Sequence, residues 1–320
     1  MFNVFLGIIS VTLIWGYTWV TMKMGISDIP PFLFSALRLF IGAVPLFILL
    51  ALQRKKLSAS KRDFRSYFHM SLLMALGYMG ILTYGMQFVD SGKTSCLVYT
   101  MPIFVSAISH FKLNEKLTAY KIGGLIFGLI GLLFILGKDI INFDSNVLFG
   151  ESLVLISAFS WAAANVFSKL KFKHVDVIHM NAWQLLMGSA FLFFFHLLLE
   201  PDRSIVWSGR AVLSLLFNGL FSTAFTFVVW FWVLKKMDAS KASMALMFVP
   251  VLGILFGWLQ LGETITVGII VGALLICTGI FMNLYPFKGA KQRGVSYEMA
   301  SFEQRTCQAV SDCRENNGGL

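Results

Sequence analysis

Six residues of this chain return, with identical spacing, further along it: Asp90, Lys93, Pro102, Glu115, Gly124 and Gly131 reappear as Asp238, Lys241, Pro250, Glu263, Gly272 and Gly279. An earlier block, Trp15, Val20, Lys23, Arg38 and Gly42, is answered by Trp161, Val166, Lys169, Gln184 and Gly188 at a separation only two residues different. Within that block only Arg38 changes identity, to Gln184. Self-similarity on this scale marks two homologous halves in tandem. Whatever one half folds into, the other half must fold into and pack against.

What each half can be is limited by its solvent. The chain of 320 residues is 57% hydrophobic and 13% charged, with a mean hydropathy of +0.76, whereas soluble domains carry roughly 25% charged residues. Apolar runs near the ~20 residues needed to cross a bilayer fall at 4–23, 32–52, 68–89, 94–111, 121–137, 148–168, 179–199, 211–234, 242–261 and 266–286. The runs are continuous rather than alternating, which excludes a membrane β-barrel and leaves helices as the spanning structure. The expected fold is an all-α integral membrane protein of ten transmembrane helices. The first run lacks a basic leader and a cleavage site and belongs to the repeat, so it reads as a retained helix.

Charge placement orients these helices. Most of the 26 Lys and Arg lie in every second connection or in the tail, as in Arg54, Lys55 and Lys56, Lys169, Lys171 and Lys173, or Lys235 and Lys236. The positive-inside rule makes those connections and both termini cytoplasmic. The net charge of +10 is therefore topological and does not point to nucleic acid. Five helices per half is an odd number, so the second half enters from the opposite side, an inverted-topology repeat. The expected units are 1–144, 145–287 and a polar, disordered cytoplasmic tail over 288–320. Cys96, Cys277, Cys307 and Cys313 show no disulfide or metal spacing and read as free thiols, and no cofactor is expected.

The five-helix unit carries Trp in its first helix, Pro in its fourth and Leu-x-Glu-x-hydrophobic-Thr before a Gly-rich fifth, as in Leu113 to Thr118 and Leu261 to Thr266. This ordered set resembles the EamA unit of the drug/metabolite transporter superfamily over residues 4–286. The resemblance implies a carrier in which helices 1–4 and 6–9 enclose a central cavity while helices 5 and 10 support it. Members of that kind export amino acids, drugs or other small metabolites, and some import them.

Several residues are candidates for the cavity. Trp15, Thr18 and Trp19 share one face of helix 1, and Trp161 and Asn165 match the two tryptophans on helix 6; aromatic walls with a few polar tips suit a substrate site. Arg38 lies deep in helix 2, where an uncompensated charge costs at least ~2.5–3.5 kcal/mol, and its mate is the uncharged Gln184. That asymmetry suits one end of an anionic or zwitterionic substrate, with snorkelling to headgroups as the alternative. Tyr78, Tyr99 and Asn218 bring polar groups to mid-membrane depth. Pro102 and Pro250 should kink helices 4 and 9 and free the carbonyls of Val98 and Leu246. Glu115 and Glu263 read as structural caps at the starts of helices 5 and 10, and Lys23 and Lys169 as anchors at mirrored helix ends. Gly124, Gly128, Gly268 and Gly272 give helices 5 and 10 small faces for close packing.

These readings favour a secondary-active carrier working by alternating access, exporting a small polar metabolite, with protons as the candidate coupling ion. An importer of a nucleoside or cofactor precursor is the alternative within the class. An intramembrane enzyme would need a nucleophile and base or metal ligands at depth, which the runs do not supply. Ser91, Gly92, Lys93 and Thr94 resemble the end of a P-loop, but Gln87 stands where glycine is required. The expected setting is a bacterial plasma membrane, with the bilayer and a small molecule as partners and a monomer or homodimer as the assembly.

Overall fold

A computed structural model describes residues 2–59, 61–113, 119–142, 144–236, 246 and 248–284. In lipid every backbone polar group must find an internal partner, and all regular structure among the described residues is helical. The helices are α1 Phe2–Ile26, α2 Pro31–Leu52, α3 61–85, α4 Ser91–Lys112, α5 Ala119–Asn142, α6 Ser145–Lys171, α7 Val177–Leu199, α8 Gly209–Lys236, α9 Phe248–Leu261 and α10 Val267–Leu284. Six of them, α1, α2, α4, α6, α7 and α8, are long and apolar enough to span a membrane, and α5, α9 and α10 hold shorter apolar helices. Large apolar side chains such as Phe5, Leu13, Ile48, Phe194, Leu198, Phe221 and Leu274 are exposed. An apolar exterior of this extent is a lipid-facing surface.

The packing repeats itself when the halves are exchanged. α1 packs on α8 and α9, α6 packs on α3 and α4, α2 pairs with α7, and α5 pairs with α10. The α5–α10 seam is built on glycine: a Cβ on Gly272 would lie 2.6 Å from the carbonyl oxygen of Gly131, and one on Gly131 would lie 2.7 Å from that of Gly272. Both obstacles are backbone, so they cannot rotate away. Gly272→Val is expected to force the pair apart and cost about 1–3 kcal/mol as overpacking, read as a lower melting temperature of the detergent-purified protein; an unchanged value would contradict the seam.

Several expected elements differ in detail. α3 and α8 are not uniform α-helices, because Leu72–Gly80 and Phe217–Phe225 wind as π-helix at matching places in the two halves. Hydropathy cannot register such a widening, and π segments cluster at functional sites. α4 is interrupted at Tyr99 and Thr100, just ahead of Pro102, so this proline marks a break rather than a bend. At Pro250 the expected free carbonyl is absent: Leu246 O accepts from Val249 N at 3.0 Å.

The cap role expected of Glu263 also needs correction. α10 begins at Val267 and is headed by Thr266, whose Oγ1 accepts from Ile269 N at 3.3 Å. The Glu263 carboxylate instead accepts from Ser91 N (2.7 Å) and Gly92 N (2.9 Å), the first amides of α4. It caps a helix of the other half, where Asp90 at the N-cap position makes no side-chain capping bond. Glu115, Lys241 and the tail over 288–320 lie outside the described residues.

Candidate functional site

The centre of the bundle holds a cavity with about 430 Å³ of space between atoms, of which only about 30 Å³ is wide enough for the centre of a water molecule. Its lining joins Trp15, Thr18, Trp19 and Met22 of α1, Arg38 of α2, Tyr78, Met79 and Leu82 of α3, Val98, Tyr99 and Met101 of α4, Trp161 of α6 and Phe227 of α8. Both halves contribute, and the π segment of α3 supplies Tyr78 and Met79. Widening the helix there displaces these side chains from the register that an unbroken α-helix would give them.

Arg38 is 3% exposed and does not snorkel. Its Nε donates to Thr223 Oγ1 at 2.7 Å, one terminal nitrogen to Ser222 Oγ at 3.0 Å and the other to Met22 Sδ at 3.2 Å. Ser222 and Thr223 belong to the π segment of α8, the counterpart of the segment that carries Tyr78. No carboxylate among the described residues pairs with Arg38. Neutral oxygens and a thioether hold the guanidinium in place without neutralising it.

The rest of the polar lining consists of indole N–H groups and of hydroxyls, which can donate as well as accept. Trp19 Nε1 is buried without an acceptor, and the hydroxyls of Tyr78 and Tyr99 find no partner among the described residues. Trp15 is differently placed: its Nε1 donates to Thr226 Oγ1 at 2.9 Å, and its ring meets Trp161 and Trp230 at centroid separations of 6.4 and 5.7 Å. Thr18 Oγ1 is engaged with Ile14 O and Ser222 Oγ, both at 2.7 Å. A buried cation, an unpaired indole N–H and two phenols, with no acid in the lining, can together receive an anionic group.

Three expected site residues lie outside this lining. Asn165 bridges behind the aromatic wall, accepting from Trp230 Nε1 at 3.1 Å and donating to Trp161 O at 2.7 Å. Gln184 donates to Asn181 Oδ1 at 2.6 Å, and Asn218 donates to Thr21 Oγ1 and Ser214 O at 3.0 and 2.8 Å. Asn165 and Asn218 thereby tie two helices together, whereas Gln184 bonds within α7, and the Gln184 Oε1 and Asn218 Oδ1 atoms are buried without a partner among the described residues. Trp230 and the pair Ser222–Thr223 also belong to the site's surroundings and were not expected from the sequence, although hydroxyls able to face a buried arginine are a signal it carries.

Polar ties join the helices at the lysine-poor end of the molecule. Lys93, buried in the first turn of α4, forms an ion pair with the buried Glu151 of α6. Glu200 at the end of α7 accepts from Phe32 N (3.1 Å) at the head of α2 and contacts His196 Nδ1 (3.1 Å). Asp28 between α1 and α2 accepts from Ser208 Oγ and pairs with Arg210 at 3.1 Å; the Ser208 hydrogen bond, helped by Arg210, holds its carboxyl below the usual carboxylate range. Among the described residues no group of three or more His, Cys, Asp or Glu side chains could hold a metal ion.

Comparison with known proteins agrees with this architecture. An "EamA-like transporter family" model matches residues 2–137 and again 148–285. An uncharacterized transporter of Bacillus subtilis (strain 168), YoaV, is 68% identical over 291 residues, covering 91% of this chain and all of that protein. A probable amino-acid metabolite efflux pump of Salmonella typhimurium is 26% identical, covering 89% of this chain and 96% of the pump. A solved crystal structure matches the fold with a TM-score of 0.67 at 21% identity, over 88% of this chain and 96% of that one. Two matched repeats, exchange symmetry among the described helices and a central cavity converge on one conclusion: this membrane protein belongs to the EamA-like transporter family.

Proposed function

We propose that the protein is a secondary carrier that moves a small carboxylate-bearing metabolite, an amino acid or a related anion, out of a bacterial cytoplasm by alternating access. The observation that carries this reading is Arg38, a buried guanidinium without a carboxylate partner, aimed among unpaired donors in an aromatic cavity. A substrate carboxylate would supply the missing acceptor, and Trp15, Trp161 and Phe227 would pack its apolar portion. Two inverted halves support a rocking mechanism, and the lysine-rich connections support a cytoplasmic location for that end and for both termini. Outward direction draws on the efflux named for the Salmonella relative. The cavity is too narrow to admit a metabolite as it stands, which suits a closed intermediate of such a cycle.

The test is counterflow in proteoliposomes loaded with amino acids, other carboxylates, nucleosides or cationic drugs, with and without an imposed pH gradient. Saturable exchange confined to carboxylate-bearing compounds is expected, and a pH gradient that drives accumulation would identify protons as the coupling ion. Exchange of cations or nucleosides only, by folded and inserted protein, would overturn the proposed substrate class.

A further inference from the structure

Lys23 and its repeat mate Lys169 occupy equivalent helix ends in opposite circumstances. Near the end of α1, Lys23 Nζ donates to Met86 O at 2.6 Å and Val89 O at 2.7 Å, carbonyls at and just beyond the end of α3. A helix leaves its last carbonyls without intrahelical donors and carries partial negative charge there, so an ammonium group satisfies both needs at once. Glu263 ties the same end of the molecule through the first amides of α4. Lys23 is thus a clasp between two elements, not the headgroup anchor its position in the sequence suggests.

Lys169, near the end of α6, makes no hydrogen bond or ion pair among the described residues. It borders a concavity whose wall includes Trp232, Leu234, Lys235 and Lys236 at the end of α8. Exchange of the halves maps α1 onto α6 and α3 onto α8. The concavity therefore lies where the counterpart of the Lys23 clasp would form.

We infer that Lys23 and Lys169 are alternating gate residues, each of which holds one end of the carrier shut by donating to the terminal carbonyls of a neighbouring helix. In this conformation Lys23 is engaged at the lysine-poor end, whereas at the lysine-rich end the ties come from other residues, Lys55 pairing with Asp176 and Lys235 donating to Val175 O. In the opposite conformation Lys169 donates to the end of α8, and Lys23 is released. A clasp released at one end and a clasp formed at the other offset each other in free energy, so a modest differential interaction can move the population between the two states. The inference rests on the alternating-access reading above, but on neither the substrate nor the direction of transport.

The experiment reads conformation rather than flux. A reporter cysteine replaces Val98, which lines the cavity, in a chain whose Cys96, Cys277, Cys307 and Cys313 are serine. A membrane-impermeant maleimide is applied to right-side-out and to inverted vesicles. Lys23→Met is expected to raise the ratio of labelling from the lysine-poor face to labelling from the lysine-rich face by about tenfold, the scale of a lost charge-assisted hydrogen bond. Lys169→Met should lower that ratio, and Lys23→Arg should keep the parent value.

A merely structural lysine would lower the melting temperature without moving the ratio. Shifts in the same direction, or no shift in folded protein, overturn the inference. Should Lys23→Met fail to fold, Lys169→Met decides alone, because it removes no bond from this conformation and an unchanged ratio would then refute the gate. Labelling needs no substrate, so failure of every compound in counterflow would leave this result readable.

Discussion

Arg38→Ala is expected to reach the membrane in normal amount and lose transport. The side chain contributes its bonds to Thr223 and Ser222, and Ser222 Oγ keeps Thr18 as a donor when the guanidinium is gone, so folding should survive. A substrate carboxylate drawn into the cavity would meet no cation. Losing one partner of a desolvated charged contact costs roughly 2–5 kcal/mol, or thirtyfold and upward in affinity. The measurement is the initial rate of counterflow at substrate concentrations spanning KM.

Arg38→Gln gives the sharper comparison, because it installs the residue that the second repeat carries at Gln184. Parental kinetics in that variant would end the case for carboxylate recognition. Arg38→Lys should recover part of the rate, since it keeps the charge but cannot reproduce the fork that spans Thr223 and Ser222. Trp19→Phe should raise KM by a smaller factor, as it removes a single neutral donor from the lining.

The second large effect concerns stability. Glu151→Ala would leave Lys93 without its carboxylate partner in a setting where the two side chains are 2% and 9% exposed. Breaking a buried pair by removing one member costs about 3–5 kcal/mol, whereas replacing both by apolar residues is often near neutral. The melting temperature of the single variant should therefore fall well below that of the parent, and Lys93→Met with Glu151→Leu should recover most of the loss. If the double variant is no better than the single one, the pair is not the source of the stability.

The aromatic and cationic lining was legible in the sequence for a simple reason. Trp15, Trp19, Trp161, Tyr78, Tyr99 and Arg38 are large or charged groups at depths where lipid gives them no use, so they had to face an interior. Asn165, Gln184 and Asn218 lie at similar depth but outside the cavity lining, because an amide at depth can also bond a neighbouring helix, as Asn165 and Asn218 do, or its own, as Gln184 does. Both outcomes produce the same pattern along the chain. The π segments over Leu72–Gly80 and Phe217–Phe225 left no trace in hydropathy, which averages over the single residue that widens a turn.

The sequence by itself determined the solvent, the number of spanning segments and their arrangement as two homologous halves. Those follow from bilayer thickness and from the backbone's need for internal hydrogen bonds, which leave few alternatives. Tertiary structure alone decided which polar groups meet. Glu263 caps a helix that begins 172 residues earlier, Lys93 finds Glu151 in the other half, and Lys23 is bonded where Lys169 has no partner among the described residues. Hydropathy says how deep a side chain lies but not the rotation or register of its neighbours, and each of these contacts joins segments distant in sequence that only the packed bundle brings together.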